Sequence, residues 1–273
     1  MNTIGVCSWS LEPTDCEQLA ISVTRCGLSH VQLALGPLIE RKWCLDTTKN
    51  IVEDSNIRIC SGMMSTVGED YSTLESIKLT GGLRPDEHWE ANQARAKASA
   101  KIASELGIKL VTFHAGFIPE TEDTEHAIIM DRIARIGDIF GAYGTRIGLE
   151  TGQERAKTLM ELLSRQSLAN VGINFDPANM ILYGIDDPAS SIELLQSRIV
   201  QVHIKDAIPT QTPGTWGTDV PLGEGAVDWA HFFEIVRSVP GDIDVVIERE
   251  SGTQRVEDVI KARQLAQSMG CTA

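Results

Sequence analysis

Eight short runs rich in Val, Ile, Leu and Phe recur along this 273-residue chain, each followed by turn residues and a stretch with helical spacing of its apolar positions. This alternation constrains the fold more than any other feature, because strands separated by helices lie parallel in a sheet covered on both faces. The runs are Thr3–Cys7, His30–Leu35, Ile57–Cys60, Leu110–Phe113, Arg146–Leu149, Val171–Phe175, Ile199–Ile204 and Asp244–Ile247. One helix is predicted from a cap at Thr14 or Asp15 to Cys26, before Gly27, and another over Asp86–Leu106, an Ala-rich stretch that Gly107 stops. Further helices are predicted over Glu122–Tyr143, Glu154–Ser164, Pro188–Gln196, Trp229–Val239 and Arg255–Met269, with a weaker signal at Asp46–Asp54. Eight βα units, where about 250 residues suffice, specify one α/β domain, a single (β/α)8 TIM barrel over residues 1–273. A doubly wound open sheet is the alternative. No linker rich in Pro, Gly or Ser divides the chain.

Two connections are long, Ser61 to Pro85 after the third run and Asp206 to Val227 after the seventh. Loops that follow barrel strands lie on the catalytic face, and long ones serve as lids or walls. The 24 basic and 38 acidic residues leave a net charge of -14, which repels phosphate backbones and anionic lipid, so nucleic acid is not an expected partner. No stretch approaches the roughly 20 apolar residues that cross a bilayer, and MNTIGVCSWSLEP at the start has no basic or apolar leader region. A cytoplasmic location without membrane partners is expected. The six cysteines include no CxxC pair and read as reduced thiols with no assigned role.

Chemistry concentrates where the runs stop. The fifth ends in Glu150 (GLETG), the sixth in Asp176 (FDPAN), the seventh carries His203 (VHIKD) and the eighth ends in Glu248 (VIERE). Strand C-termini converge at one mouth of a barrel, so residues 26, 27 and 45 positions apart can meet around one ion. Each also has a plainer reading. Asp176–Pro177 is a helix N-cap signature, Glu150 is a favourable charge near a helix start, a lone His in an apolar strand is commonly a core residue, and Glu248-Arg249-Glu250 suits a surface ion-pair cluster. Taken jointly, three carboxylates at successive strand ends repel one another unless a cation neutralises them. Three carboxylates and one imidazole suit one divalent metal ion, Mn²⁺ ahead of Mg²⁺, Co²⁺ or Zn²⁺.

GLETG, FDPAN, VHIKD, the loop PLGEGAVDW (Pro221–Trp229) and VIERE resemble, in this order over nearly the whole chain, the xylose-isomerase-like TIM-barrel family of sugar and sugar-phosphate isomerases and epimerases. The GEG-x-VDW loop and HIKD are the more specific signals. The resemblance implies a divalent metal on Glu150, Asp176, His203 and Glu248, and catalytic acid/base work by Glu150 and Glu248. The chain departs from many members at Asn179, where they carry His, and at Gln32 in the second strand, where they carry Glu. An Asn can hydrogen-bond a sugar hydroxyl but cannot shuttle a proton.

A metal that polarises a carbonyl makes the neighbouring proton removable and stabilises the resulting enediolate. Two carboxylates on opposite faces of the carbon would epimerise it, whereas one carboxylate carrying the proton between adjacent carbons would isomerise aldose and ketose. The residues do not choose between these. A metal-dependent dehydratase or lyase on a keto-sugar or inosose shares the first step and is the alternative. A non-catalytic sugar-binding barrel would need no paired bases. A multi-zinc DNA-repair endonuclease would need more strand-end histidines than His114 and His203, the two available among six. Substrate contacts are expected from His114 and Asn179 to hydroxyls and from Lys205, on the same strand face as His203, to an oxyanion. Trp9 and Trp216 would form apolar walls, and Arg249 would meet an anionic group or Glu250. The expected partner is a small sugar or keto-sugar, and the long loops leave room for a homo-oligomer.

Overall fold

A computed structural model describes residues 2–165 and 168–273. Eight parallel strands close on themselves in chain order: β1 (Thr3–Cys7), β2 (His30–Ala34), β3 (Arg58–Met63), β4 (Leu110–Phe113), β5 (Arg146–Glu150), β6 (Val171–Phe175), β7 (Ile199–Ile204) and β10 (Asp244–Ile247). β1 pairs with both β2 and β10, so the sheet has no edge and the open-sheet alternative is excluded. The Asp206–Val227 connection forms a separate antiparallel hairpin of β8 (Asp206–Ile208) and β9 (Thr218–Val220).

The crossovers carry the main helices: α1 (Cys16–Arg25), α3 (Leu45–Asp54), α5 (Trp89–Glu105), α6 (Thr124–Gly141), α7 (Ala156–Leu163), α9 (Pro188–Leu195), α10 (Trp229–Val236) and α11 (Arg255–Ser268). Asp15 caps α1 by accepting from Gln18 N at 2.8 Å, and Gly27 follows in the left-handed conformation at φ 67°. Three short helices lie outside the predicted helical ranges, α2 (Gly36–Ile39), α4 (Leu74–Thr80) and α8 (Pro177–Tyr183), of which α8 is announced only by its Asp176–Pro177 cap. At four to seven residues each, they are too short for helical periodicity to show. The third strand also differs, running to Met63 where the sequence placed its end at Cys60. Ser61-Gly62 reads locally as a turn, but Gly62 pairs with Leu33 and Val111. A Cβ there would lie 3.1 Å from Leu35 Cδ1, so close packing and not turning explains this glycine.

Most buried aliphatic side chains form one continuous core with the helices. The barrel interior is instead markedly polar. Gln32, Thr112, Asn174, Gln201 and His203 are all fully buried. Gln32 Nε2 donates to Thr112 Oγ1 at 2.7 Å, and Gln201 Nε2 donates to Asn174 Oδ1 at 3.2 Å. Register shifts occur at Val31/Gln32 and Ile173/Asn174. Irregularities of this kind re-aim side chains, and both residues that follow them reach His203. Among the described residues no helix is long and apolar enough to cross a membrane.

Candidate active site

The C-terminal ends of β5, β6, β7 and β10 bring Glu150, Asp176, His203 and Glu248 together, with one ligand atom of each within 4.8 Å of the others. His203 Nδ1 is the hub, 3.4 Å from Glu150 Oε1, 3.4 Å from Glu248 Oε2 and 3.8 Å from Asp176 Oδ2. The N-cap reading of Asp176 holds as well, because its two oxygens divide the work. Oδ1 accepts from Ala178 N at 2.8 Å and Asn179 N at 3.1 Å, while Oδ2 is buried without a hydrogen-bond partner, 3.8 Å from Lys205 Nζ. Glu248 and Arg249 are buried, so the surface-cluster reading of VIERE does not apply.

What aims Nδ1 at the carboxylates is Gln32. Its side-chain carbonyl, which only accepts, lies 2.6 Å from His203 Nε2, nearer than the Asn174 amide nitrogen at 3.1 Å, so Nε2 is placed to carry a hydrogen and Nδ1 is the nitrogen that would offer a lone pair to a cation. Nδ1 is itself buried with no hydrogen-bond partner. Unpartnered buried polar atoms cost about 1–3 kcal/mol each, and a divalent cation would satisfy Nδ1 and Asp176 Oδ2 together. Oxygen donors with one imidazole fit such an ion, and a second group orienting the histidine is the usual companion of a metal ligand.

The charges are strongly coupled. Burial raises the Asp176 carboxyl to about 7 against the pull of Lys205. Burial also opposes ionisation of Glu248, but Lys205 and then His203 outweigh it and hold this carboxyl well below the usual range. Glu150 is lowered in the same way, with His114 and His203 outweighing burial. Burial disfavours a charged His203, yet Cys7, Glu150 and Glu248 raise its pKa well above the ordinary value. A cluster this acidic calls for positive charge, and a bound cation would supply it in place of the imidazole proton.

The centre opens into a cavity of about 870 Å³ lined by Trp9, His114, Asn179, Trp216 and Glu248, among others. Trp9 Nε1 donates to Glu248 Oε1 at 2.7 Å, and His114 Nε2 lies 3.4 Å from Glu150 Oε1. Asn179 bridges the two sides, donating to Glu150 Oε1 at 3.1 Å and accepting from Lys205 Nζ at 3.1 Å. Lys205 is almost fully buried, donates to Glu248 Oε2 at 3.0 Å and pairs with Glu250, so it is not a surface lysine.

Arg249 is placed differently from the expectation. It does not line the cavity, and its guanidinium pairs with Asp219 and, at 3.0 Å, with Asp258, while Glu250 belongs to Lys205. Neighbouring residues on extended chain face opposite ways, so Glu248 turns inward and Arg249 away. Sequence reasoning also gave Asp206 no role, although it is the K-D of HIKD. Its Oδ2 accepts from Gly223 N at 2.9 Å, Gly225 N at 3.1 Å and Trp229 Nε1 at 2.9 Å, and its Oδ1 from Ala207 N at 2.9 Å and Val227 N at 3.3 Å. One carboxylate therefore seats the GEG-x-VDW loop. A Cβ at Gly225 would lie 2.0 Å from Asp206 Oδ1, which requires glycine. The co-occurrence of the two motifs was the available signal.

Among solved structures, a xylose isomerase domain protein from Planctomyces limnophilus is similar at a TM-score of 0.84 and 26% identity, covering 91% of each chain. A 3-oxo-isoapionate decarboxylase of Pectobacterium atrosepticum is 27% identical over 113 residues, 40% of this chain and 41% of that protein. SgbU of Escherichia coli K12, provisionally named an L-ribulose-5-phosphate 3-epimerase, is 33% identical over 93 residues, 33% of this chain and 32% of its own. The matches to curated relatives thus span about a third to two fifths of their length. A family model described as the xylose isomerase-like TIM barrel matches residues 22–273. Only β1, the 3-10 turn Ser8–Leu11 and part of α1 fall outside that match, and the chain belongs to the xylose isomerase-like TIM barrel family.

Proposed function

We propose that the chain is a divalent-metal-dependent sugar epimerase that removes and returns a proton beside a carbonyl, passing through an enediolate. The pair Glu150 and Glu248 carries this reading. These residues stand at the ends of β5 and β10 with β6 and β7 between them, each 3.4 Å from His203 Nδ1 and each held ionised by cationic neighbours. Two bases on separated barrel walls suit inversion of a carbon better than transfer along one face.

A divalent ion held by Glu150, Asp176, His203 and Glu248 would supply Lewis acidity toward the carbonyl. The chain's own groups do the rest. Trp9 and Lys205 grip the two oxygens of Glu248, so its carboxylate is oriented before substrate arrives. Glu150 is steadied by Asn179 and His114. The ionised carboxylate on one wall takes the proton, the other, once protonated from solvent, delivers one from the facing wall, and exchange with solvent resets both groups. Lys205, kept cationic by Glu248 and Glu250 against the opposing effect of burial, gives its three N–H groups to Asn179, Glu248 and Glu250 and so favours a negatively charged substrate oxygen only as a nearby positive charge. Asn179 can hold a hydroxyl but takes no proton. The Pectobacterium relative favours a lyase as the second reading, since loss of carbon dioxide from a 3-oxo acid leaves the same kind of enolate that removal of the proton forms.

The test is a panel of keto-sugars incubated in heavy water with Mn²⁺ and followed by NMR. Epimerisation predicts deuterium in a product with one inverted carbon, and loss of that exchange by about 10²-fold or more in Glu248→Gln. Release of carbon dioxide or water identifies the lyase. Exchange unchanged in Glu248→Gln, or absent with every sugar, refutes the proposal.

A further inference from the structure

We infer that the cavity is built for a neutral keto-sugar extended by a second ring, a keto-glycoside, and not for a phosphorylated sugar. The inference rests on the epimerase reading only for the end at which the reacting ring lies. Its first support is size. About 870 Å³ stands near the top of the roughly 300–1,000 Å³ range of small-molecule sites and is several times what one pyranose fills.

The second support is the far wall. The loop after β3 contributes Tyr71, α8 contributes Tyr183 and the β8–β9 loop contributes Trp216, and all three line the cavity. Trp216 and Tyr183 pack edge to face at 4.8 Å between ring centroids, and Trp216 and Tyr71 lie 6.5 Å apart. The reacting centre has its own aromatic wall in Trp9, so this second cluster is surplus to a single ring. Aromatic surfaces of this kind take the apolar C–H face of a sugar. Trp216 Nε1 and Thr66 Oγ1, which also line the cavity, are buried without hydrogen-bond partners, and these neutral groups match hydroxyls.

The third support is charge. Lys42 and Arg95 at the mouth both pair with Glu40, at 2.8 and 3.3 Å, and Lys205 pairs with Glu248 and Glu250. Arg249, behind the wall, is held by Asp219 and Asp258. Among the described residues lining the cavity, Lys42 and Arg95 share the one carboxylate of Glu40, while Glu69, Asp219, Glu248 and Glu250 make the lining acidic as a whole. A phosphate dianion would meet this acidic lining, whereas hydroxyls bear no such cost.

Calorimetric titration of the manganese-loaded protein separates these classes without turnover. The probes are D-fructose, D-fructose 6-phosphate, and two keto-disaccharides, isomaltulose (glucosyl at O6) and lactulose (galactosyl at O4). At least one disaccharide should bind about tenfold tighter than D-fructose, with the phosphate no tighter than D-fructose. Trp216→Ala and Tyr71→Ala should each collapse the disaccharide advantage, and Trp216→Phe should retain part of it. Tightest binding of the phosphate, or no advantage for either disaccharide in the wild-type protein, overturns the inference. A disaccharide preference without deuterium exchange would refute the epimerase reading alone, and exchange with a phosphate preference would refute this one alone.

Discussion

Replacing Gln32 by Leu tests how His203 is aimed. The Gln32 carbonyl faces His203 Nε2 at 2.6 Å, its amide donates to Thr112 at 2.7 Å, and Cys7 Sγ donates to the same carbonyl at 3.4 Å. All four residues are fully buried. Leu has a similar volume but no acceptor, so the Nε2 hydrogen is left unpartnered in a dry interior, at a cost of about 1–3 kcal/mol. For a chain of this size that predicts a fall in the metal-free melting temperature of about 2–10 °C. The ring is also free to turn, and loss of an orienting partner typically lowers metal affinity about 10–100-fold, or about 1.4–2.7 kcal/mol. Titration of Mn²⁺ followed by electron paramagnetic resonance of the free ion reads this directly. Gln32→Glu retains an acceptor and should bind Mn²⁺ more tightly than the Leu variant. Wild-type Mn²⁺ affinity in Gln32→Leu would refute the assignment of Nδ1 as the ligand atom held in place by Gln32.

Three further outcomes follow from the geometry. Asp176→Asn should keep the cap on α8, since Asn caps as well as Asp, and should leave metal-free stability at pH 7 within about 1 kcal/mol while Mn²⁺ affinity falls at least tenfold; equal loss of both would show that Asp176 is only a cap. Burial lifts Glu154 to about 8 from the ordinary 4.5, outweighing His114 and nearby backbone N–H groups. Its protonated form therefore favours the folded state, a contribution intact below pH 4.5 and lost as pH rises through 8. Glu154→Gln should accordingly gain on the wild type between pH 5 and 9, by up to about 4 kcal/mol, and urea melts showing a constant difference across that range would refute the shift. Gly225→Ala should unseat the loop from Asp206 at about 2–4 kcal/mol, seen as faster amide exchange at Gly223 and Val227; unchanged protection there would show that the loop does not depend on this contact.

The cluster of Glu150, Asp176, His203 and Glu248 was legible because it obeys two local rules. Apolar runs mark strands, and a polar residue where a run ends marks the mouth of a barrel. Lys205 followed from the same logic, two residues beyond His203. Arg249 shows where the logic stops. Its neighbour Glu248 faces the site, and only the positions of Asp219 and Asp258, 30 residues before and nine after, show what claims its guanidinium. Third-strand residues Ser61 and Gly62 read as a turn until β2 and β4 lay beside them.

Periodicity along the chain settled the type of each element and the side on which chemistry lies, because hydrophobic spacing and strand ends are properties of a few adjacent residues. Closure of the barrel decided the rest. It brought Gln32 across 171 positions to His203, turned a departure from the family pattern into the group that orients the histidine, and joined two remote loops into an aromatic wall. Such contacts depend on which strands become neighbours, and short-range pattern carries no record of that.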